Sequence, residues 1–204
     1  MARKLLLATT NAKKLREMRP LLEPFDFELL GLSDVVDPLD VDETGSTFLE
    51  NARLKATQQA SHLDLWTIGE DSGLSVHCLG GEPGIYSARY AGADATDDSN
   101  IDLLLNNLET HRKKGPITAF YSSAVVLSDP SGDVQLETYD ECHGRILTSR
   151  RGEGGFGYDP IFEITEYHQT FAELGQTVKR VLSHRGRALR RFLSKLPAAY
   201  PAEA

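Results

Sequence analysis

The chain has 204 residues, 40% of them hydrophobic and 25% charged, enough for one large domain or two lobes around a real core. A net charge of −8 argues against a generic nucleic-acid binder, which carries a basic excess. There is no N-terminal hydrophobic signal region, and no apolar run approaches the ~20 residues that span a bilayer; the expectation is a cytoplasmic protein. The charge is unevenly placed. Asp34, Asp37, Asp40, Asp42, Glu43 and Glu50 crowd one early segment, and from Lys179 to Lys195 there are seven basic residues and no acid. Such poles suit a ligand that combines a metal with an anion, although separate solvated faces would produce them too. Cys78 and Cys142 lie in strand-like runs without metal-ligand spacing and read as buried free thiols of a reducing compartment.

Lys4 to Ala8 reads as a short strand, followed at once by Thr9-Thr10-Asn11-Ala12-Lys13-Lys14. Leu15, Met18 and Leu22 have helical spacing after it, with Pro20 marking a kink or a late start. A strand, a polar turn and a helix entered by two lysines can hold phosphate, because the helix N-terminus offers N–H groups and lysine adds charge. The turn lacks the glycines of a Walker loop, and surface lysines are common. Phe25 to Leu30 is another expected strand, with Phe25, Phe27 and Leu29 on one face and Asp26 and Glu28 on the other. The acidic loop then leads to Thr47-Phe48-Leu49-Glu50, which fits a capping box, and to a helix with Leu49, Ala52, Ala56 and Leu63 on one face. Glu50 therefore has a structural use as a cap; Glu43 has none, which makes it the better metal-ligand candidate.

The centre of the chain is GEDSGLSVHCLGGEPGIYSARYAG, residues 69–92. Glu70 and Asp71 follow an apolar run, and Ser72-Gly73 reads as a turn before a second strand from Leu74 to Leu79. That arrangement would place both carboxylates at a sheet edge, where a cleft can form. Adjacent negative charges repel, and a divalent cation or a shared proton resolves the conflict. A solvated turn is the plainer alternative.

Asp97-Asp98 can cap a helix whose apolar face is Ile101, Leu104, Leu105 and Leu108. Thr118 to Leu127 and Val134 to Cys142 read as strands joined by a hairpin at Asp129-Pro130-Ser131-Gly132-Asp133. The glycine-rich segment from Arg150 to Pro160 carries Phe156 and Tyr158, so its backbone can approach a flat ligand and a ring can stack on a base. Ser183-His184-Arg185-Gly186 precedes a final helix with Leu189, Phe192, Leu193 and Leu196 on one face. Arg and His there can donate hydrogen bonds to carbonyl or phosphate oxygens. Pro197 to Ala204 reads as a frayed tail.

Taken in order, ATTNAKKLRE, ETGSTFLENARLKA, EDSGL, LGGEPGIYSARYAG, GGFGYDPIF and SHRGRAL resemble the inosine-triphosphate pyrophosphatase family, across nearly the whole chain from Lys4 to Leu196. Glu70 stands where bacterial members often have Asp, which keeps a carboxylate there. The resemblance implies an elongated α/β fold: a long mixed central sheet flanked by helices, forming one domain (1–196) of two lobes with an active-site cleft between them. It also implies a homodimer that uses Mg²⁺ and cleaves deaminated purine nucleoside triphosphates between the α- and β-phosphates. By position, Thr9, Thr10, Asn11, Ala12, Lys13, Lys14 and Lys179 would hold the triphosphate. Glu43, Glu70 and Asp71 would hold metal, with Glu50 less secure, and Asp71 would activate water. Ser72, Phe156, Gly157, Tyr158, Asp159, His184 and Arg185 would shape the nucleotide pocket. Two other readings stay open: an enzyme cutting at the γ-phosphate, which the lack of a Walker loop disfavours, and a non-catalytic nucleotide binder, which would not need a base beside the metal.

Overall fold

A computed structural model describes residues 3–25 and 27–200. Among these, seven strands form one mixed sheet in the order β2-β1-β3-β4-β5-β6-β7. The strands are β1 Arg3–Leu7, β2 Phe27–Gly31, β3 Thr67–Val76, β4 Ile117–Ser128, β5 Val134–Ile146, β6 Phe162–Ile164 and β7 Gln169–Thr170. The helices are α1 Ala12–Leu22, α2 Phe48–Leu63, α3 Asp97–Asn107, α4 Phe171–Leu182 and α5 His184–Ala199. β1 lies parallel to β2, with Leu5 opposite Leu29, and parallel to β3, with Leu7 opposite Ile68. β6 is antiparallel to both β5 and β7.

The chain packs as two compact units: Met1–Asp71 with Ser123–Asp140 and Arg187–Ala204, and Ser72–Ser122 with Glu141–Gly186. In the first unit, apolar residues of β1, β3 and β4 meet Met18 and Leu22 of α1 and Ala188, Leu189, Phe192, Leu193 and Leu196 of α5. In the second, Leu74 and Val76 of β3 join Ile101 and Leu104 of α3, Leu108 just after it, Tyr121 of β4, and Phe162 and Phe171. The apolar faces expected for α3 and α5 are therefore the buried ones. The expected hairpin also forms: Gly132 N–H donates to the Asp129 carbonyl at 3.0 Å between β4 and β5.

Several expectations are corrected. The strand of Ile68 does not stop at the acidic pair: β3 runs unbroken through Glu70, Asp71, Ser72 and Gly73, although its pairing with β1 ends at Ile68 and β4 is its other neighbour. Pairing along the neighbouring β4 keeps the strand extended past the end of β1, which outweighs the local turn preference of Ser-Gly. Cys78 is exposed, in a 3-10 turn rather than a strand, whereas Cys142 is buried in β5. Phe25 ends a 3-10 turn ahead of β2, and Asp26 lies outside the described residues. α1 continues through Pro20. α2 buries Phe48, Ala52, Ala56 and Ala60, leaving Leu49 and Leu63 only partly covered. His184 and Arg185 begin α5 instead of preceding it. Residues 197–200 are not frayed: Tyr200 stacks on Trp66 at 4.1 Å between ring centroids, and its carbonyl accepts from Arg3 at 2.7 Å. The rest of the expected tail, 201–204, lies outside the described residues.

Candidate active site

In the first unit, the turn from β1 to α1 is organised by Asn11, the N-cap of α1. Its side-chain oxygen accepts the N–H groups of Lys13 at 2.9 Å and Lys14 at 3.4 Å, and its own N–H donates to Thr9 Oγ1 at 3.1 Å. Thr10 and Ala12 are exposed beside it. The capped turn presents an N-terminal helix end and two lysines, the chemistry expected for phosphate. Lys14 bends onto β3, where its ammonium lies 2.7 Å from Glu70 Oε2, and Ser123 Oγ donates to Glu70 Oε1 at 3.1 Å.

Successive side chains of a strand point to opposite faces, so Glu70 and Asp71 are separated although adjacent in sequence. Glu70 shares the face of Ile68, which packs in the core with α1 and α5. Asp71 shares the face of Gly69, where a Cβ would collide with the Ala52 carbonyl of α2. The missing side chain lets α2 lie close to the strand. Asn51 and Lys55 of α2 are thereby brought to Asp71: Lys55 Nζ donates to Oδ1 at 2.9 Å, and Asn51 Nδ2 donates to Oδ2 at 3.4 Å. The same ammonium reaches Glu43 Oε1 at 3.4 Å.

Glu70 and Asp71 are 1% and 6% exposed, so their charges act in a poorly solvated place. Burial pushes the Asp71 carboxyl up from its ordinary value, and Lys55 and Lys14 pull it back only in part. Burial alone would lower the Lys55 ammonium, but Asp71, Glu43 and Glu70 outweigh it and hold the group above its ordinary value. The electrostatic conflict expected at the acidic pair is thus resolved by two lysines on two faces.

Glu50 is taken up by the start of α2. Its Oε2 accepts from Ser46 N and Ser46 Oγ, both at 2.7 Å, and from Thr47 N at 3.2 Å, while Thr47 Oγ1 accepts from Glu50 N at 3.1 Å. These bonds, led by the Ser46 hydroxyl, keep its carboxyl below the ordinary value.

Among the described residues no three acidic, His or Cys side chains converge tightly enough to enclose a metal. A full protein cage is not required for Mg²⁺, which keeps several waters and takes substrate phosphate oxygens beside one or two carboxylates. The donor set fits that pattern: the Lys55 ammonium is a cation already shared by Glu43 and Asp71 oxygens.

In the second unit, Lys179 and Asp159 form a buried ion pair at 2.5 Å, with side chains 4% and 3% exposed. Asp159 also accepts the Phe156 N–H at 2.9 Å, which pins the glycine-rich loop. Lys179 Nζ lies 4.3 Å from the centre of the Phe156 ring, and the Arg185 guanidinium lies 5.6 Å from it. Arg185 donates to Ser72 Oγ at 2.9 Å. Ser183 caps α5 by accepting the Gly186 N–H at 3.1 Å, and Gly186 is required where the chain passes the Arg180 carbonyl. That cap sets His184 and Arg185 in the first turn of α5. His184 stacks flat on Tyr121, with ring centroids 4.6 Å apart and planes 9° from parallel.

Ser72, Phe156, Asp159, Lys179, His184 and Arg185 are therefore brought together, and Gly157 lies beside them in the loop at a positive φ of 60°. Tyr158 turns inward. Its ring joins the core and its hydroxyl donates to the Ser87 carbonyl at 2.9 Å, so Phe156 is the loop aromatic that lies beside Lys179 and Arg185. Sequence reading did not single out Asn51, Lys55, Ser123 or Tyr121. For the first two a signal existed: they stand four apart within ETGSTFLENARLKA, on one stripe of α2. Ser123 and Tyr121 lie in an apolar strand pattern that marks neither.

The Ham1 family model matches residues 5–195. A dITP/XTP pyrophosphatase of Rhodopirellula baltica is 51% identical over 192 residues, covering 94% of this chain and 92% of that protein. One from Bacillus anthracis is 44% identical, covering 96% of each chain. The solved HAM1 protein of Coxiella burnetii superposes with a TM-score of 0.88 at 35% identity, covering 96% of this chain and 99% of that one. The crystal structure of a nucleoside-triphosphatase, dITP/XTP pyrophosphatase, from Mycobacterium abscessus gives 0.74 at 38% identity, covering 95% and 99%. With a family match over almost the whole chain and relatives this similar along their own full length, the chain belongs to the Ham1 family.

Proposed function

We propose that this protein hydrolyses deaminated purine nucleoside triphosphates, such as dITP, XTP and ITP, to the nucleoside monophosphate and pyrophosphate, removing them from the nucleotide pool. The observation that carries the reading is the buried Asp71, held by Lys55 and Asn51, with Glu43 on the same ammonium. A pure nucleotide binder gains nothing from a carboxylate of raised basicity there. The named activity of the 51%- and 44%-identical relatives supports the same conclusion.

In this mechanism Lys13, Lys14 and the N–H groups at the start of α1 bind the triphosphate and offset its charge. Glu70 holds Lys14 in place. Asp71 orients a water molecule and takes one of its protons as the water oxygen bonds to the α-phosphorus. The bond to the bridging oxygen then breaks, and pyrophosphate leaves with the electron pair. A base in this role contributes about 10²- to 10⁴-fold. Mg²⁺ would be held by Glu43 and Asp71 and, when bound, supplies charge neutralisation for the phosphate oxygens. Phe156 stacks on the purine while Arg185 and His184 donate to its 6-carbonyl oxygen. The reading also takes a homodimer as the working form, which rests on family resemblance, and the cytoplasm as the compartment, which free Cys78 and Cys142 suit.

Product identification tests the proposal. With inosine triphosphate and Mg²⁺, ³¹P NMR should show monophosphate and pyrophosphate, with orthophosphate only after an inorganic pyrophosphatase is added. Diphosphate and orthophosphate appearing directly would move the activity to the γ-phosphate.

A further inference from the structure

The acidic loop has no regular hydrogen-bonded structure of its own around Glu43, yet it is held at four points, all by one stripe of α2. His62 Nε2 donates to the Asp37 carbonyl at 2.8 Å. The Gln59 amide donates to the Leu39 carbonyl at 2.6 Å and accepts the Leu39 N–H at 3.1 Å. Lys55 donates to Glu43 at 3.4 Å, and Asn51 accepts the Gly45 N–H at 2.8 Å. Positions 51, 55, 59 and 62 fall on one helix face, so the loop runs antiparallel along α2 for about 16 Å, the rise of eleven residues. Within this ladder Gln59 stands out. It is 1% exposed and it pairs both backbone groups of one loop residue, as a neighbouring strand would.

We propose that Gln59 is a positioning residue for Glu43: its two-way clamp on Leu39, with Asn51 on Gly45, sets the loop so that the Glu43 carboxylate reaches Lys55 and the metal position beside Asp71. A buried amide is costly unless both its donor and its acceptor are used. Here both are used on one residue, which defines the loop's register along the helix. The inference rests on the reading of Glu43 as a metal ligand.

The test measures metal binding without substrate, using Mn²⁺ followed by electron paramagnetic resonance, together with amide hydrogen exchange. Gln59→Met keeps length and packing but removes the clamp. It should weaken Mn²⁺ binding by about 10-fold, as loss of a partner that orients a ligand does. Exchange at residues 39–43 should quicken while that at α5 stays unchanged. His62→Ala, at the solvent end of the ladder, should quicken exchange at residues 37–39 and weaken Mn²⁺ binding less, which keeps the test available if Gln59→Met does not fold. Combining Gln59→Met with Glu43→Gln should bind Mn²⁺ no more weakly than Glu43→Gln alone. Unchanged Mn²⁺ affinity in Gln59→Met, or additive losses in the double variant, would overturn the positioning role. Unchanged affinity in Glu43→Gln would instead overturn the reading of Glu43 as a ligand.

Discussion

Lys55 joins the two carboxylates on which the proposed chemistry depends, and its neighbours separate by role. With Asp71 as the proposed base, Asp71→Asn should lower kcat by ~10²-fold or more while leaving nucleotide affinity largely intact, measured by single-turnover kinetics and equilibrium binding. Near wild-type turnover would make it a structural residue. Glu70 is paired with Lys14, and on the proposed reading in which it positions that lysine, Glu70→Gln should raise KM for the triphosphate with little change in the Mg²⁺ concentration for half-maximal rate. The reverse pattern would return Glu70 to the metal. The proposed base selection rests on Arg185, which has only donors: they match a 6-carbonyl and oppose the 6-amino group of adenine. An unpaired buried donor costs about 1–3 kcal/mol, or about 5- to 150-fold. Arg185→Ala should therefore lose more kcat/KM on inosine triphosphate than on ATP. Equal losses would mean that Arg185 binds phosphate.

At the scale of elements, α2 has two jobs separated along its length. The first turn is a capping box, and the stripe from Asn51 to His62 holds the acidic loop. Glu50 belongs to the cap, which predicts a pH signature. Its folded carboxyl lies below the ordinary 4.5, so its contribution is present above 4.5 and is lost as pH falls through the lowered folded value. Glu50→Gln should lower Tm at neutral pH, and its difference from wild type should shrink as the solution is acidified below that value. Mn²⁺ affinity should not change. A metal-affinity loss without a Tm loss would assign Glu50 to the metal instead. The capping box, the β4–β5 hairpin and the apolar face of α5 were all legible in the sequence, because each depends on residues a few positions apart.

For the molecule as a whole, the two compact units divide the proposed work, and the division falls between Asp71 and Ser72 of β3. The first holds the lysines and carboxylates suited to a triphosphate with metal. The second holds Phe156, His184 and Arg185, suited to a purine, with Lys179 paired to Asp159 beside them. Tripolyphosphate with Mg²⁺ should thus slow amide exchange at residues 11–14 and in α2, whereas inosine should slow it at residues 156–159 and 183–186. Inosine protecting only the first set would reverse the assignment. Both cores were foreshadowed by apolar periodicity, but their separation was not, since β3, β4 and β5 each carry residues of both.

The sequence by itself supplied most of the candidate site residues, through the ordered motifs from Thr9 to Arg185, and it determined the start of α2 through its capping box; Asn51, Lys55, Tyr121 and Ser123 entered only with the structure. Only the tertiary structure decided that β3 runs through the acidic pair, that Glu70 and Asp71 face opposite ways toward Lys14 and Lys55, and that Gln59 clamps the acidic loop. It also turned Tyr158 into the core, left Cys78 exposed and docked Tyr200 on Trp66. Caps and helical faces arise from neighbours within a turn or two, so local residue types suffice to read them. Strand continuity and charge pairing depend on partners that folding brings together from distant parts of the chain: β3 is paired by β1 at Thr67 and Ile68 and is flanked by β4 on its other side, and Asp71 meets Lys55 only because Gly69 lets α2 approach the sheet.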